Sequence, residues 1–140
     1  MPHQDSENVY TNFQMENMVE SLKPLLSRTD VVGYVAARNI RALQNELEEY
    51  FQMKNKFITE LGTEELGEDG KPTGNVSIKV GSKEFDSFMD KMKPIGEARC
   101  YPSLFKLDAD ECIDRMSGKQ MLDFEWMIDF NDGGEKVDRT

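Results

Sequence analysis

A heptad pattern of apolar positions runs from Asp30 to Leu61 and is the clearest feature of the chain. The repeating positions alternate steps of three and four residues, and all but Lys54 are apolar, aromatic or small. They are Gly33, Ala36, Ile40, Leu43, Leu47, Tyr50, Lys54, Phe57 and Leu61. This spacing is typical of a helix that buries one stripe against a partner helix. It predicts one long helix from Asp30 to Leu61, with Gly62 as its C-cap.

The predicted helix is long for a chain of 140 residues. At 1.5 Å per residue it would extend over roughly 48 Å. A compact domain of this size is only about 37 Å across. Either the domain is elongated, or one end of the helix packs against another subunit.

Shorter elements are predicted on both sides of this helix. Thr11 and Gln14 have the spacing of a capping box, which predicts a helix that begins near residue 11. Val76, Ile78 and Val80 alternate with polar residues and predict a half-buried strand. The glycine-rich, acidic segment between the long helix and this strand is expected to be a loop.

Capping residues ahead of apolar runs predict three further helices in the second half of the chain. The first begins after Ser82 and the second after Asp108. The last begins after Ser117 and continues to about Phe130.

The elements together predict an α+β fold that is mainly α. In this fold the long central helix is packed by N-terminal and C-terminal helices, beside a small two- or three-stranded sheet. The predicted domain covers residues 11–130, between a flexible N-terminus at 1–10 and a flexible acidic tail at 131–140.

The acidic net charge of the chain argues against one class of function, direct binding to nucleic acid. Lysine and arginine number 17 against 27 acids, a formal net charge of −10. Direct binding to nucleic acid is therefore not expected, because phosphate contacts need a basic surface. No apolar run approaches the ~18 residues of a membrane span, and the N-terminus lacks the basic start and apolar stretch of a signal peptide. The predicted location is the cytoplasm of the host cell.

Residues suited to catalysis or metal binding are sparse. His3 is the only histidine and lies in the polar N-terminus, so a mechanism that needs a fixed histidine base is not expected. Cys100 and Cys112 lack metal-ligand spacing and are expected to be free thiols. Asp108 begins like a calcium-binding loop, but Ile113 occupies the position that requires glycine. The sequence predicts no enzyme, no cofactor and no metal.

Acidic residues are densest between Asp108 and Asp132, where eight acids face only Arg115 and Lys119. Solvated helix faces explain such a run most simply. Alternatively, the acids imitate a phosphate array and occupy the basic groove of a nucleic-acid enzyme. The residues that would form this decoy surface are Asp108, Asp110, Glu111 and Asp114.

Four stretches resemble a family of uncharacterised small proteins from Gram-positive bacteria and their phages and prophages. They are ARNIRALQNELEEYFQMKNKFITELG, the acidic loop EDGKPTGN, VSIKVGSKEFDSFMDKM and QMLDFEWMIDF. The resemblance covers roughly residues 12–131 and rests on the order and character of the elements. It implies a phage-associated origin and carries over no activity and no functional residues.

The sequence thus favours a non-catalytic, phage- or prophage-encoded interaction or assembly protein. It would self-associate or bind a protein partner through the long helix. The expected interface residues are Ile40, Leu43, Leu47, Tyr50, Lys54 and Phe57. The alternative function is an acidic inhibitor of a host nucleic-acid enzyme or defence system.

Overall fold

The structure is a computed structural model that describes residues 8–130 and the backbone of residues 3–5. Its α-helices are α1 (Asn12–Leu22), α2 (Val31–Glu46), α3 (Glu48–Leu61), α4 (Lys83–Gly96), α5 (Ala109–Cys112) and α6 (Gly118–Asp123). Short 3-10 helices lie at Lys23–Ser27 and Glu125–Met127. The strands are β1 (His3–Asp5), β2 (Tyr10–Thr11), β3 (Thr63–Leu66), β4 (Pro72–Ser77), β5 (Arg99–Cys100), β6 (Leu104–Asp108) and β7 (Ile128–Asp129). With 59% helix and 17% strand, the predicted α+β, mainly α class is confirmed.

The described strands form three small sheets where the sequence predicts one. In the first sheet β6 is the middle strand, with β1 antiparallel on one side and β7 parallel on the other. In the second, β2 pairs antiparallel with β5, and in the third β3 pairs antiparallel with β4. The half-buried strand predicted from Val76, Ile78 and Val80 is observed only in part, since β4 contains Val76 but ends at Ser77, and Val80 is 77% exposed. The partner strand β3 lies in the segment expected to be a loop.

Part of the N-terminus predicted to be flexible belongs to these sheets. Gln4 of β1 lies opposite Phe105, and Tyr10 of β2 lies opposite Cys100. Strands of two or three residues are too short to show a readable alternation in sequence, so pairing with distant strands is what reveals them. The predicted flexible tail at 131–140 lies outside the described residues, as do residues 1–2 and 6–7.

Between Asp30 and Leu61 the structure has two helices rather than the one predicted. The break lies at Leu47, where ψ is 0°, far from the roughly −42° of a regular helix. The hydrogen-bond pattern continues through it, since the Leu47 N–H donates to the Leu43 carbonyl and the Phe51 N–H donates to the Leu47 carbonyl. At 1.5 Å per residue α2 is about 24 Å long and α3 about 21 Å. Each helix alone is shorter than a compact domain, and the single uninterrupted helix predicted from Asp30 to Leu61 is not observed.

The hydrophobic core lies where α1, α2 and β6 meet. Its fully buried side chains include Met15, Leu22, Val35, Leu43 and Leu107. Asn39 of α2 is also fully buried. Its Nδ2 donates to the Phe105 carbonyl at 2.9 Å, and its Oδ1 accepts from the Phe105 N–H at 2.7 Å. One side chain thus satisfies both backbone groups of a strand residue and fixes β6 against α2.

The C-terminal region packs differently from the prediction. The helix expected from Ser117 to Phe130 ends at Asp123 as α6, and none of the α6 residues is buried. A 3-10 turn and β7 follow, and they carry the buried residues Met127 and Ile128. Pairing with β6 draws this segment out of the helical conformation, so β7 rather than a helix closes that side of the core.

Candidate interaction groove

Four of the six predicted interface residues lie inside the core of the chain itself. Leu43 and Leu47 have no exposed surface, and Tyr50 and Ile40 are exposed by 4% and 8%. They cannot contact a partner in this structure. The prediction that these four residues form a partner interface is therefore wrong. A heptad pattern shows which stripe of a helix is buried, and the stripe of α2 is buried by α1 and β6 of the same chain.

The other two predicted interface residues, Lys54 and Phe57, are half-buried. Lys54 Nζ lies 2.5 Å from Glu16 Oε2, and the Tyr50 hydroxyl donates to Glu16 Oε1 at 2.7 Å. Burial and this bond to the Glu16 carboxylate raise the pKa of Tyr50 above its ordinary range. Lys54 therefore joins α3 to α1 within the chain. The Lys91 ammonium lies 5.3 Å from the centroid of the Phe57 ring.

An open groove lies between α3, β4 and α4. Its volume is about 260 Å³. The residues that line it are mainly apolar: Lys54, Ile58, Val76, Ser77, Ile78, Phe85 and Phe88. We call this surface the α3–α4 groove.

Local sequence features position the two walls of the groove. The Ser82 hydroxyl accepts from the Phe85 N–H at 3.1 Å and so begins α4 one turn before its aromatic face. The Phe85 and Phe88 rings lie 6.4 Å apart. Gly62 lets β4 approach the end of α3, since a Cβ there would lie 2.6 Å from a methyl group of Val76. Gly62 has a φ of −86°, which is not the left-handed conformation that favours glycine. The close approach of β4, rather than a left-handed cap, therefore accounts for glycine at this position.

The two helices of the groove are nearly balanced in charge, whereas residues 62–82, which include the β3–β4 hairpin, carry four acids and two lysines. α3 carries three acids and two lysines, and α4 carries three acids and three lysines. Besides the groove residues, α3 presents three more half-buried apolar side chains: Phe51, Phe57 and Leu61. The groove is therefore an apolar surface whose lining contains one charged side chain, Lys54.

The four acids of the predicted decoy surface have two different environments in the structure. Asp108 and Glu111 form the capping box of α5, in which the Asp108 N–H donates to Glu111 Oε1 at 3.0 Å. Asp110 and Asp114 are exposed. Two of the four acids thus cap the start of a helix. This structural role explains their presence without a nucleic-acid enzyme as binding partner.

Comparison with known proteins adds no family to this description. Neither the protein-family models nor the curated proteins nor the solved structures contain a match to the chain. Among the described residues, no three or more histidine, cysteine or acidic side chains are grouped so that they could hold a metal ion. None of the described helices has the length and apolar composition needed to cross a bilayer.

Cys100 and Cys112 are free thiols. Burial raises the pKa of both, and Glu46 adds to the effect at Cys100. A raised pKa lowers the thiolate fraction, so neither thiol is activated as a nucleophile.

The sequence patterns predict elements that contain the groove residues, but they do not indicate that these residues lie together. The available signal was the pair Phe85 and Phe88 on a short helix, close to the alternating strand around Val76. Whether such apolar residues are covered depends on tertiary packing, which periodicity alone does not report.

Proposed function

We propose that this chain is a non-catalytic interaction protein of the cytoplasm that self-associates through the α3–α4 groove. The observation that carries the proposal is the incomplete cover of α3. Four of its apolar side chains, Phe51, Phe57, Ile58 and Leu61, are only half-buried. Completing the burial of such a side chain contributes about 1 kcal/mol, roughly half the value for a fully exposed one.

The charge distribution favours a second copy of the chain as the occupant. Two molecules of net charge −10 repel each other over most of their surfaces. The α3 and α4 surfaces are close to neutral, with acids and lysines on both helices. A two-fold contact places each surface against itself, so the acids of one copy can face the lysines of the other. Contact through the apolar groove is therefore less repulsive than contact through the acidic surfaces of the chain.

The resemblance to proteins of Gram-positive bacteria and their phages suggests where such a protein acts. We extend the proposal to a phage- or prophage-encoded assembly protein, in which pairing through the α3–α4 groove precedes contact with further components. This origin rests on the order of elements along the sequence.

A nucleic-acid mimic remains the second candidate because Asp110 and Asp114 are both exposed. In that case the double change Asp110→Lys with Asp114→Lys abolishes inhibition of a host nucleic-acid enzyme and leaves the solution mass unchanged. Under the assembly proposal the same variant retains its binding partners.

Light scattering after size exclusion tests the main proposal. We expect the wild type to approach twice the 16.1 kDa of one chain as concentration rises. Val76→Asp places a charge in the groove, on a hairpin outside the main core, and should leave a monomer. Leu122→Asp, at a side chain that is 70% exposed on α6, is the matched control and should still dimerise.

Circular dichroism of each variant separates loss of pairing from loss of folding. If Val76→Asp unfolds, Ile78→Lys provides a second test of the same groove. A wild type that stays monomeric at every concentration would overturn the proposal, as would a Val76→Asp protein that is folded and still dimeric.

A further inference from the structure

The outer face of α2 is an exception to the acidic character of the chain. Residues 31–45 contain no acid and two arginines, Arg38 and Arg41, within a protein of net charge −10. Both arginines are exposed. The face lies opposite the buried stripe that contains Leu43, so the core leaves it free.

A small pocket lies on this face where α2 meets β6. Its volume is about 150 Å³, and its lining is Arg38, Arg41, Ala42, Asn45 and Phe105. The Arg38 guanidinium lies 5.1 Å from the centroid of the Phe105 ring. A guanidinium over an aromatic ring keeps its N–H donors free at its edge while the ring restricts its motion.

The floor of the pocket is held rigidly. Asn39 lies between the two arginines in sequence and points inward, with both of its side-chain hydrogen bonds made to the Phe105 backbone. The backbone of Phe105, whose ring lies under Arg38, is therefore bonded to the same helix that carries Arg41. A pre-organised arrangement of donors binds an anion without first losing conformational entropy.

Neither arginine forms an ion pair with any residue that the structure describes. Arg38 and Arg41 are three positions apart on a helix, where like charges repel and destabilise the helix by roughly 0.2–0.5 kcal/mol. A bound anion would remove this repulsion. Together, the two positive charges and the Asn45 amide supply hydrogen-bond donors suited to an anion that carries two negative charges.

We propose that this pocket binds a phosphate group, either free phosphate or a phosphate monoester such as that of a nucleotide. The two guanidinium groups would each donate to phosphate oxygens, and the Asn45 amide would donate to a third. The inference is independent of the α3–α4 groove, because it rests on different residues and a different face.

Titration followed by nuclear magnetic resonance tests the site in the full chain. Inorganic phosphate is added at constant ionic strength, and the Nε–H signals of Arg38 and Arg41 and the Asn45 side-chain amide are observed. Acetate, an anion with one charge, is the reference. We expect these signals to shift saturably below about 10 mM phosphate and to shift little with acetate.

The variants Arg38→Gln and Arg41→Gln should each weaken phosphate binding about tenfold, as expected for loss of one charge-assisted hydrogen bond. Arg99→Gln, at an exposed arginine of β5, is the matched control and should bind as the wild type does. Equal affinity for phosphate and adenosine monophosphate supports a site for the phosphate group alone, whereas tighter nucleotide binding supports a nucleotide site. Absence of saturation, or binding that Arg38→Gln and Arg41→Gln leave unchanged, would overturn the proposal.

Discussion

α2 and α3 share one heptad pattern and follow each other along the chain, yet they are buried very differently. α2 has seven buried residues, whereas Tyr50 is the only buried residue of α3. α1 and β6 cover the apolar stripe of α2. The stripe of α3 is covered by α4 and by one hairpin, whose β3 strand is exposed along its length. The same sequence pattern thus produces a completed core in one helix and an open apolar surface in the other.

This difference divides the molecule into a packed end and a groove end. The packed end comprises α1, α2 and β6, and it should carry most of the free energy of unfolding. The groove end comprises α3, the β3–β4 hairpin and α4, and it should carry the interaction. Variants at the two ends test this division, and the largest effect is expected in the packed end.

The largest contrast is expected between two leucines of the heptad pattern. Leu43→Ala removes a side chain with no exposed surface and should lower the free energy of unfolding by about 4 kcal/mol. Leu61→Ala removes a half-buried side chain and should cost about 1 kcal/mol. Urea unfolding of both variants in the Val76→Asp background, in which we expect no pairing, provides the comparison. Equal losses would remove the distinction between the two ends.

The next effect concerns the polar contact inside the packed end. Asn39→Ala leaves the Phe105 N–H and carbonyl without their partner in a buried position, at a cost of about 3 kcal/mol. Asn45→Ala, on the exposed face of the same helix, should change stability by less than about 0.5 kcal/mol. Thermal unfolding measures both. A tolerated Asn39→Ala would mean that α2 and β6 are held together by apolar packing alone.

A smaller effect is expected where the two ends meet. A Cβ on Gly96, the last residue of α4, would lie 2.2 Å from the Phe13 ring of α1. That ring packs edge-on to Tyr50 at 6.3 Å between centroids, which limits its movement. Gly96→Ala should therefore cost about 2 kcal/mol. Gly118→Ala meets no atom within 4 Å and should be neutral in the same unfolding measurement.

The smallest effect is a dependence on pH at the start of α2. A two-pronged hydrogen bond from Arg28 lowers the pKa of Asp30 from 3.8 to about 2. Because the pKa is lower in the folded state, the contribution to stability is complete above about pH 4 and is lost as pH falls towards 2. The pair is partly exposed, so the contribution should be below about 1 kcal/mol. Asp30→Asn retains the helix cap, and its stability difference from the wild type should shrink over this pH range. A difference that is constant from pH 6 to pH 2 would rule out the ion pair as its cause.

Several local features of the fold could be predicted from the sequence because they depend on neighbouring residues. The capping box of Thr11 and Gln14 begins α1 as predicted, and Ser117 caps α6 through the same arrangement with Gln120. The mainly helical class follows from the same kind of signal. Residues three or four positions apart are enough to specify such features.

Features that depend on distant residues could not be predicted. No glycine or proline lies at the break at Leu47, so the sequence contains no local signal for it. The three strands of the sheet β1–β6–β7 come from three separate regions of the chain, and β1 and β7 are too short to show alternation. The groove is not predictable for the same reason. Whether Ile58 and Phe85 are buried depends on which distant elements pack against them.

Hydrogen exchange at two protein concentrations tests the central claim most directly, because it reports where any pairing occurs. Mass spectrometry of peptides from the wild type follows α2, α3, β4 and α4 separately. We predict that at high concentration the peptides of α3, β4 and α4 exchange more slowly than at low concentration, while those of α2 are unchanged. Exchange in α3, β4 and α4 that is independent of concentration, or slowing confined to α2, would contradict self-association through the α3–α4 groove.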